Sequence, residues 1–157
     1  MFLHYAGRDD EAIARLQKTL ELDPNFWIAH ITLAKVYIRR RMYPEAIAEL
    51  SKAREFSGGN TETISLAGYA WALSGNRAQA QTALDELKSL STHHYVPPYN
   101  IAMIYNGLEE KDEALAWLEK AYEERDVRLT FIKIDPKWDS FRSDSRFAAI
   151  IKRIGLE

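Results

Sequence analysis

Residues 33–50 read LAKVYIRRRMYPEAIAEL, and the spacing inside this stretch decides the architecture. Leu33, Ala34 and Tyr37 fall on one stripe of a first helix, and Ala46, Leu50 and Ala53 on one stripe of a second. Between them, Arg39-Arg40-Arg41 and Tyr43-Pro44 interrupt the apolar pattern. Alanine at a helix crossing lets two backbones approach closely, and tyrosine fills the gap one turn away. The stretch is therefore a helical hairpin, and a lone hairpin cannot bury its own stripe.

The same signature returns along the chain. Ala12, Ala46, Ala80 and Ala114 stand at a constant interval of 34 residues, each followed four residues later by Leu16, Leu50, Leu84 and Leu118. Leu3, Tyr37, Trp71 and Tyr105 keep the phase upstream, with Ala34, Gly68 and Ala102 three residues before the last three. Periodicity and breakers predict helices over about 9–22, 26–40, 44–56, 61–74, 77–90, 97–108 and 111–125. Gly7 and Gly75 are expected at the turns inside hairpins. Asp9-Asp10-Glu11 and Asp112-Glu113 are expected to open second helices, where the macrodipole favours acids. Pro97-Pro98 fits a first helical turn.

These residues resemble the tetratricopeptide repeat, W-x2-L-G-x2-Y…A-x3-F…P over 34 residues. Repeat two carries Leu33-Ala34-x2-Tyr37 and Ala46-x3-Leu50, repeat three Ala67-Gly68-x2-Trp71 and Ala80-x3-Leu84, and repeat four Ile101-Ala102-x2-Tyr105 and Ala114-x3-Leu118. The leading Trp is replaced by His30, Ile64 and Pro98, and the closing Pro survives as Pro24. The resemblance covers roughly residues 1–125. It implies an all-α, right-handed α-solenoid of about three and a half hairpins with a C-terminal capping helix. The expected division is a single domain: partial repeat one over 1–25, repeats two to four over 27–60, 61–94 and 95–128, and tail with cap over 129–157.

The ends differ in character. Met1 falls inside the expected first helix of repeat one, about eight residues short by the repeat template. An excised piece of a longer protein and a naturally short leading helix both fit. In either case Ile13, Leu16 and Leu20 are under-covered, so this end is expected to mediate self-association. At the other end, Phe147, Ile150, Ile151 and Ile154 have helical spacing, with Ser143 or Asp144 as N-cap and Gly155 as terminator. The tail residues Asp135-Pro136, Trp138-Asp139, Phe141-Arg142 and Asp144-x-Arg146-Phe147 are similar to those following repeats in bacterial multidomain signalling proteins. There the array is joined to a winged-helix DNA-binding domain, a nucleotide cyclase or a kinase, which implies an alternative role as a regulatory or sensor module.

Composition narrows the function. The 157 residues carry 21 basic and 23 acidic side chains, a net charge of −2, and lack the basic excess that nucleic-acid binding requires. With no cysteine, neither a disulfide framework nor a thiolate metal site exists, and a cytoplasmic setting fits. No apolar run reaches the roughly 18 residues of a membrane span. No phosphate loop, dinucleotide fingerprint, serine elbow or H-E-x-x-H motif occurs. His93-His94, Glu109-Glu110 and Glu123-Glu124 read as solvated loop and helix-end residues, and Trp138 as part of the cap. No catalytic residue, metal or cofactor is expected.

What remains is binding. The resemblance implies a protein–protein interaction scaffold that holds a peptide or partner protein in a concave groove lined by the first helix of each hairpin. The lining expected here is Ile31, Lys35, Ile38, Arg39, Ser65, Tyr69, Leu73, Tyr99, Asn100 and Met103, with Tyr69 and Tyr99 open to the groove. Family members that clamp a chaperone's terminal carboxylate use Lys, Asn and Arg there. At the matching positions this chain has Ile28, Thr32, Glu62, Leu66 and Val96, and Asn100 alone has that chemistry. An apolar peptide or amphipathic helix fits better. The spacing argument makes a direct prediction: Ala80→Leu overpacks a helix crossing, lowering stability by about 1–3 kcal/mol in urea denaturation. An unchanged midpoint would remove Ala80 from any crossing.

Overall fold

Ala46, Ala80 and Ala114 are wholly buried, one on each of three successive second helices. The computed structural model describes residues 2–155, with side chains from Arg8 onward. Its helices are α1 (Phe2–Leu22), α2 (Trp27–Arg39), α3 (Tyr43–Ser57), α4 (Thr61–Leu73), α5 (Arg77–Leu90), α6 (Pro98–Gly107), α7 (Lys111–Glu123) and α8 (Ser145–Ile154). Two 3-10 turns, Val127–Phe131 and Pro136–Phe141, lie between α7 and α8. No strand occurs among the described residues. The pairs α2–α3, α4–α5 and α6–α7 form hairpins stacked in chain order, an all-α solenoid.

The stack shares α4 between two cores. Leu66, Tyr69 and Ala70 join α2, α3 and Met103 in one cluster; Ile64 and Ala72 join α5, α6, α7 and the tail in the other. Two glycines set the approach of α4 to α6. A Cβ on Gly68 would lie 2.7 Å from Ile104 Cδ1, and one on Gly107 would lie 2.9 Å from Ala72 Cβ. A side chain at either position would have to push back the Ile104 and Ala83 or the Ala72 and Tyr69 side chains that pack there.

Caps follow the sequence closely. Asn60, Asn76 and Asp144 accept from the backbone N–H groups of Glu62, Gln79 and Arg146 at 2.8, 3.2 and 2.8 Å. Arg146 also holds the Asp144 carboxyl below its ordinary range, at about 2. Ion pairs Arg54–Glu86, Arg77–Glu110, Arg146–Asp112 and Arg153–Glu119 link one repeat unit to the next along the surface. Each contributes little, so they guide register more than stability.

The expected turn at Gly7 is absent, because α1 runs unbroken from Phe2 to Leu22. A glycine inside a helix costs about 1 kcal/mol, less than several lost backbone hydrogen bonds. Asp9 and Asp10 consequently do not open a helix; they pair with Arg39, the last residue of α2, and Arg40, which follows it. Met1, Leu156, Glu157 and the side chain of Leu3 lie outside the described residues.

Hairpin turns share one closure that the glycine pattern understates. Met42 N–H donates to Tyr37 O at 2.8 Å, Asn76 N–H to Trp71 O at 2.9 Å, and Glu110 N–H to Tyr105 O at 3.0 Å. The preceding residues Arg41, Gly75 and Glu109 all have positive φ, 60°, 87° and 60°. Arg41 and Glu109 thus hold a conformation that costs an L-residue about 1–2 kcal/mol. Arg41→Gly and Glu109→Gly should each raise stability by about 0.5–1 kcal/mol net of the added unfolded-state entropy. Thermal melts would show it, and a lower midpoint would mean these side chains contribute contacts that outweigh their strain.

Candidate partner-binding face

The face in question runs along the first helices α2, α4 and α6. On α2, Ile28, Thr32, Lys35 and Arg39 share one stripe and are all exposed, Ile28 by 49%. Thr32 Oγ1 donates back to the Ile28 carbonyl at 2.8 Å, which keeps the hydroxyl on the helix. Lys35 Nζ reaches across to Glu62 Oε1 of α4 at 2.6 Å. On α4, Leu73 is 39% exposed. The structure therefore brings Ile28, Thr32, Lys35 and Leu73 onto an open face of α2 and α4.

Most of the expected lining is instead packed. Ile31, Ile38, Ser65, Tyr69, Tyr99, Asn100 and Met103 are all buried. The close approach at Gly68 and Gly107 brings the Tyr69 ring into van der Waals range of α6, and Ile38, Tyr69 and Met103 belong to one core cluster. Ser65 Oγ donates to the Asn100 carbonyl at 3.1 Å, joining α4 to α6, while Asn100 Nδ2 makes no hydrogen bond among the described residues. Arg39, expected in the groove, turns to α1, where its guanidinium grips both oxygens of buried Asp9.

The α6 end of the face is closed by the chain's own tail. Trp138 is 0% exposed and donates Nε1–H to Tyr99 Oη at 3.0 Å. Its ring packs edge-on against Tyr99 and Phe141, with centroids 5.7 and 5.3 Å away, and stacks on Phe147 of α8 at 6.5 Å. Asn106 Nδ2 donates to the Lys137 carbonyl at 2.7 Å, and Lys111 Nζ to the Ser140 carbonyl at 3.1 Å. Burial pushes the Tyr69 and Tyr99 phenols well above their ordinary range, and the charge of nearby Asp135 acts in the same direction. Both remain neutral hydroxyls throughout the working pH range.

The sequence did hold one signal for this tail. Leu129 and Ile132, and again Trp138 and Phe141, are three apart and buried. Side chains at i and i+3 eclipse in a 3-10 turn, so this period marks two such turns with one inward edge.

Among the described residues no group of three or more His, Asp or Glu side chains converges as for a metal ion. His93 and His94 are exposed on the α5–α6 loop. No helix among the described residues is long and apolar enough to cross a membrane.

Family profiles described as tetratricopeptide repeat match residues 3–62 and 99–126. The chain belongs to the tetratricopeptide-repeat family. Repeats of this family generally mediate protein–protein interaction. Residues 63–98 lie between the two matches, yet α4 and α5 complete a hairpin there. Among solved structures, the crystal structure of MamA superposes with a TM-score of 0.54 at 23% identity. The match covers 98% of this chain and 82% of that one, a likeness of fold. A comparison with curated proteins finds no match.

Trp138→Ala should cost about 3–5 kcal/mol as the cluster around it opens. Hydrogen exchange would then rise across residues 127–142 while α2 and α3 keep their protection. Equal loosening of both regions would show that the tail is part of one cooperative unit and not a local clasp.

Proposed function

We propose that this repeat array is a non-catalytic scaffold that holds an extended or helical segment of a partner protein against the α2–α4 part of its inner face. The observation that carries this reading is the gradient of exposure along the three first helices. Ile28, Thr32 and Lys35 on α2 and Leu73 on α4 are open, whereas α6 is covered by Trp138 and its neighbours. A segment that runs the length of α6 would have to displace a fully packed tryptophan, so the favoured site is the first two hairpins. Of the residues expected to line a groove, Lys35 and Leu73 serve directly. Ile31, Ile38, Tyr69 and Met103 form the floor beneath them.

The chemistry of the open stripe selects the ligand. Ile28 and Leu73 offer separate apolar contacts, and the Lys35–Glu62 pair between them offers one donor and one acceptor group. An apolar or amphipathic segment of mixed charge suits this better than a strongly acidic or basic one. Isolated apolar side chains exposed along one face favour modest affinity, in the micromolar range of about −8 kcal/mol. A cytoplasmic setting accords with the lack of cysteine.

The test is selection of peptides from a displayed random library on the wild-type chain, followed by titration against Ile28→Asp/Leu73→Asp. Both positions are surface sites, so the melting temperature should stay put while affinity falls at least about tenfold, a loss of roughly 1.4 kcal/mol. Peptides that bind the variant as well as the wild type would place recognition elsewhere.

A further inference from the structure

His30, in the first turn of α2, is buried at 4% exposure and makes a polar contact through each ring nitrogen. Nδ1 lies 2.5 Å from Glu49 Oε2 of α3, and Nε2 lies 2.7 Å from the carbonyl oxygen of Pro24, in the loop joining α1 to α2. The ring also packs against Phe56 of α3, with centroids 5.7 Å apart. One side chain thus ties together α2, α3 and the corner where α1 ends. Among the described residues, no other side-chain hydrogen bond joins residues 21–26 to α2 or α3.

The proton count sets this tie apart. A neutral imidazole has one N–H and one lone pair, whereas a peptide carbonyl and a carboxylate only accept. Both contacts are hydrogen bonds only when the His30–Glu49 pair holds one proton more than a neutral imidazole and a carboxylate do, whichever of the two carries it. Without that proton, lone pairs meet at one contact, and it must open. A charged acceptor keeps the stronger bond, so the contact that opens is the one to Pro24. The other groups near the ring supply no substitute donor. Lys52 Nζ reaches the far oxygen of Glu49, Oε1, at 3.3 Å. Glu21 and Gln17 of α1 and Tyr37 of α2 line the same open groove of about 560 Å³, where Gln17 Nε2 is turned to Tyr37 Oη at 3.5 Å. Leu20, Leu33 and Phe56 form the apolar part of that groove.

We propose that His30, Glu49 and the Pro24 carbonyl form a pH-sensitive strap, which pins the α1–α2 corner to α3 while the pair is protonated and releases it as the pH rises. The strapped corner binds the proton and the released corner has no use for it. Its contribution to stability is therefore complete on the acid side of the histidine range and is lost toward the alkaline side. Release leaves α1 on its apolar contacts and its ion pairs with Arg39 and Arg40. The groove beside the corner then widens and bares Leu33, which is 2% exposed in the strapped form. The device sets how far the first helix stands off the stack, independently of any partner on the α2–α4 face.

Amide hydrogen exchange followed by NMR from about pH 6 to about pH 9, across the range in which histidine changes charge, tests this. The parent chain carries His4→Gln, His93→Gln and His94→Gln, so His30 is its remaining histidine. The reporters are Asp23 and Phe26, whose N–H groups donate to Thr19 O and Asp23 O inside the corner at 2.9 and 3.2 Å. Their protection should fall at least about tenfold with rising pH, measured against Asn76 and Glu110 in later turns, as expected for losing a bond to a charged group. Glu49→Gln is the decisive variant. Its amide N–H donates to a neutral Nδ1 while Nε2–H still bonds Pro24, so the corner should stay protected across the whole range. A parent chain whose corner ignores pH overturns the proposal, and so does a Glu49→Gln corner that loosens with pH as the parent does.

Discussion

The structure depends on how closely neighbouring helices can approach. Ala46, Ala80 and Ala114 permit it within hairpins, and Gly68 with Gly107 permits it between them. Small residues at these points leave van der Waals contact to the backbone itself, and the large residues around them then close the gaps. A hairpin with a wider crossing would leave its apolar stripe exposed to water, and the next hairpin would have no surface to match. Repetition at a constant interval follows, because each unit must present to its successor the contour that it received.

That same approach decides which surface is left for a partner. Bringing α4 against α6 draws Tyr69, Tyr99 and Met103 inward, so residues that face the groove by position serve as its foundation. Where helices are closest the wall is finished and covered by the tail. Where contact between first helices is lightest, at α2 and α4, side chains still reach solvent and an ion pair spans the gap. Packing therefore closes the inner face at α6 and leaves it open at α2 and α4, where a partner is proposed to bind.

The fold was legible because burial of this kind writes a period into the chain. Alanine, leucine and aromatic residues recur at the same phase, and six helices follow within two residues of their expected bounds, while α1 starts seven residues before its expected beginning. Three features were not legible, each for its own reason. Arg41 and Glu109 occupy left-handed turns without being glycine, since the energy of the six-residue closure around them exceeds a local preference. Gly7 sits inside a helix, where its modest cost is outweighed by continuous hydrogen bonding. The inner face was misread most, because position on a solenoid tells which way a side chain points but not whether something lies over it. Trp138 comes from 39 residues beyond Tyr99 and belongs to no repeat, so no periodicity connects the two.

The two ends are secured very differently. α1 rests mainly on α2, helped by Arg39 and Arg40, whereas α8 and both 3-10 turns are locked to α6 and α7 through one tryptophan. In a linear array each unit is supported only by its neighbours, so loss of structure starts at the least anchored unit. Under partial denaturation α1 would part from α2 while α8 and its tryptophan clasp still hold.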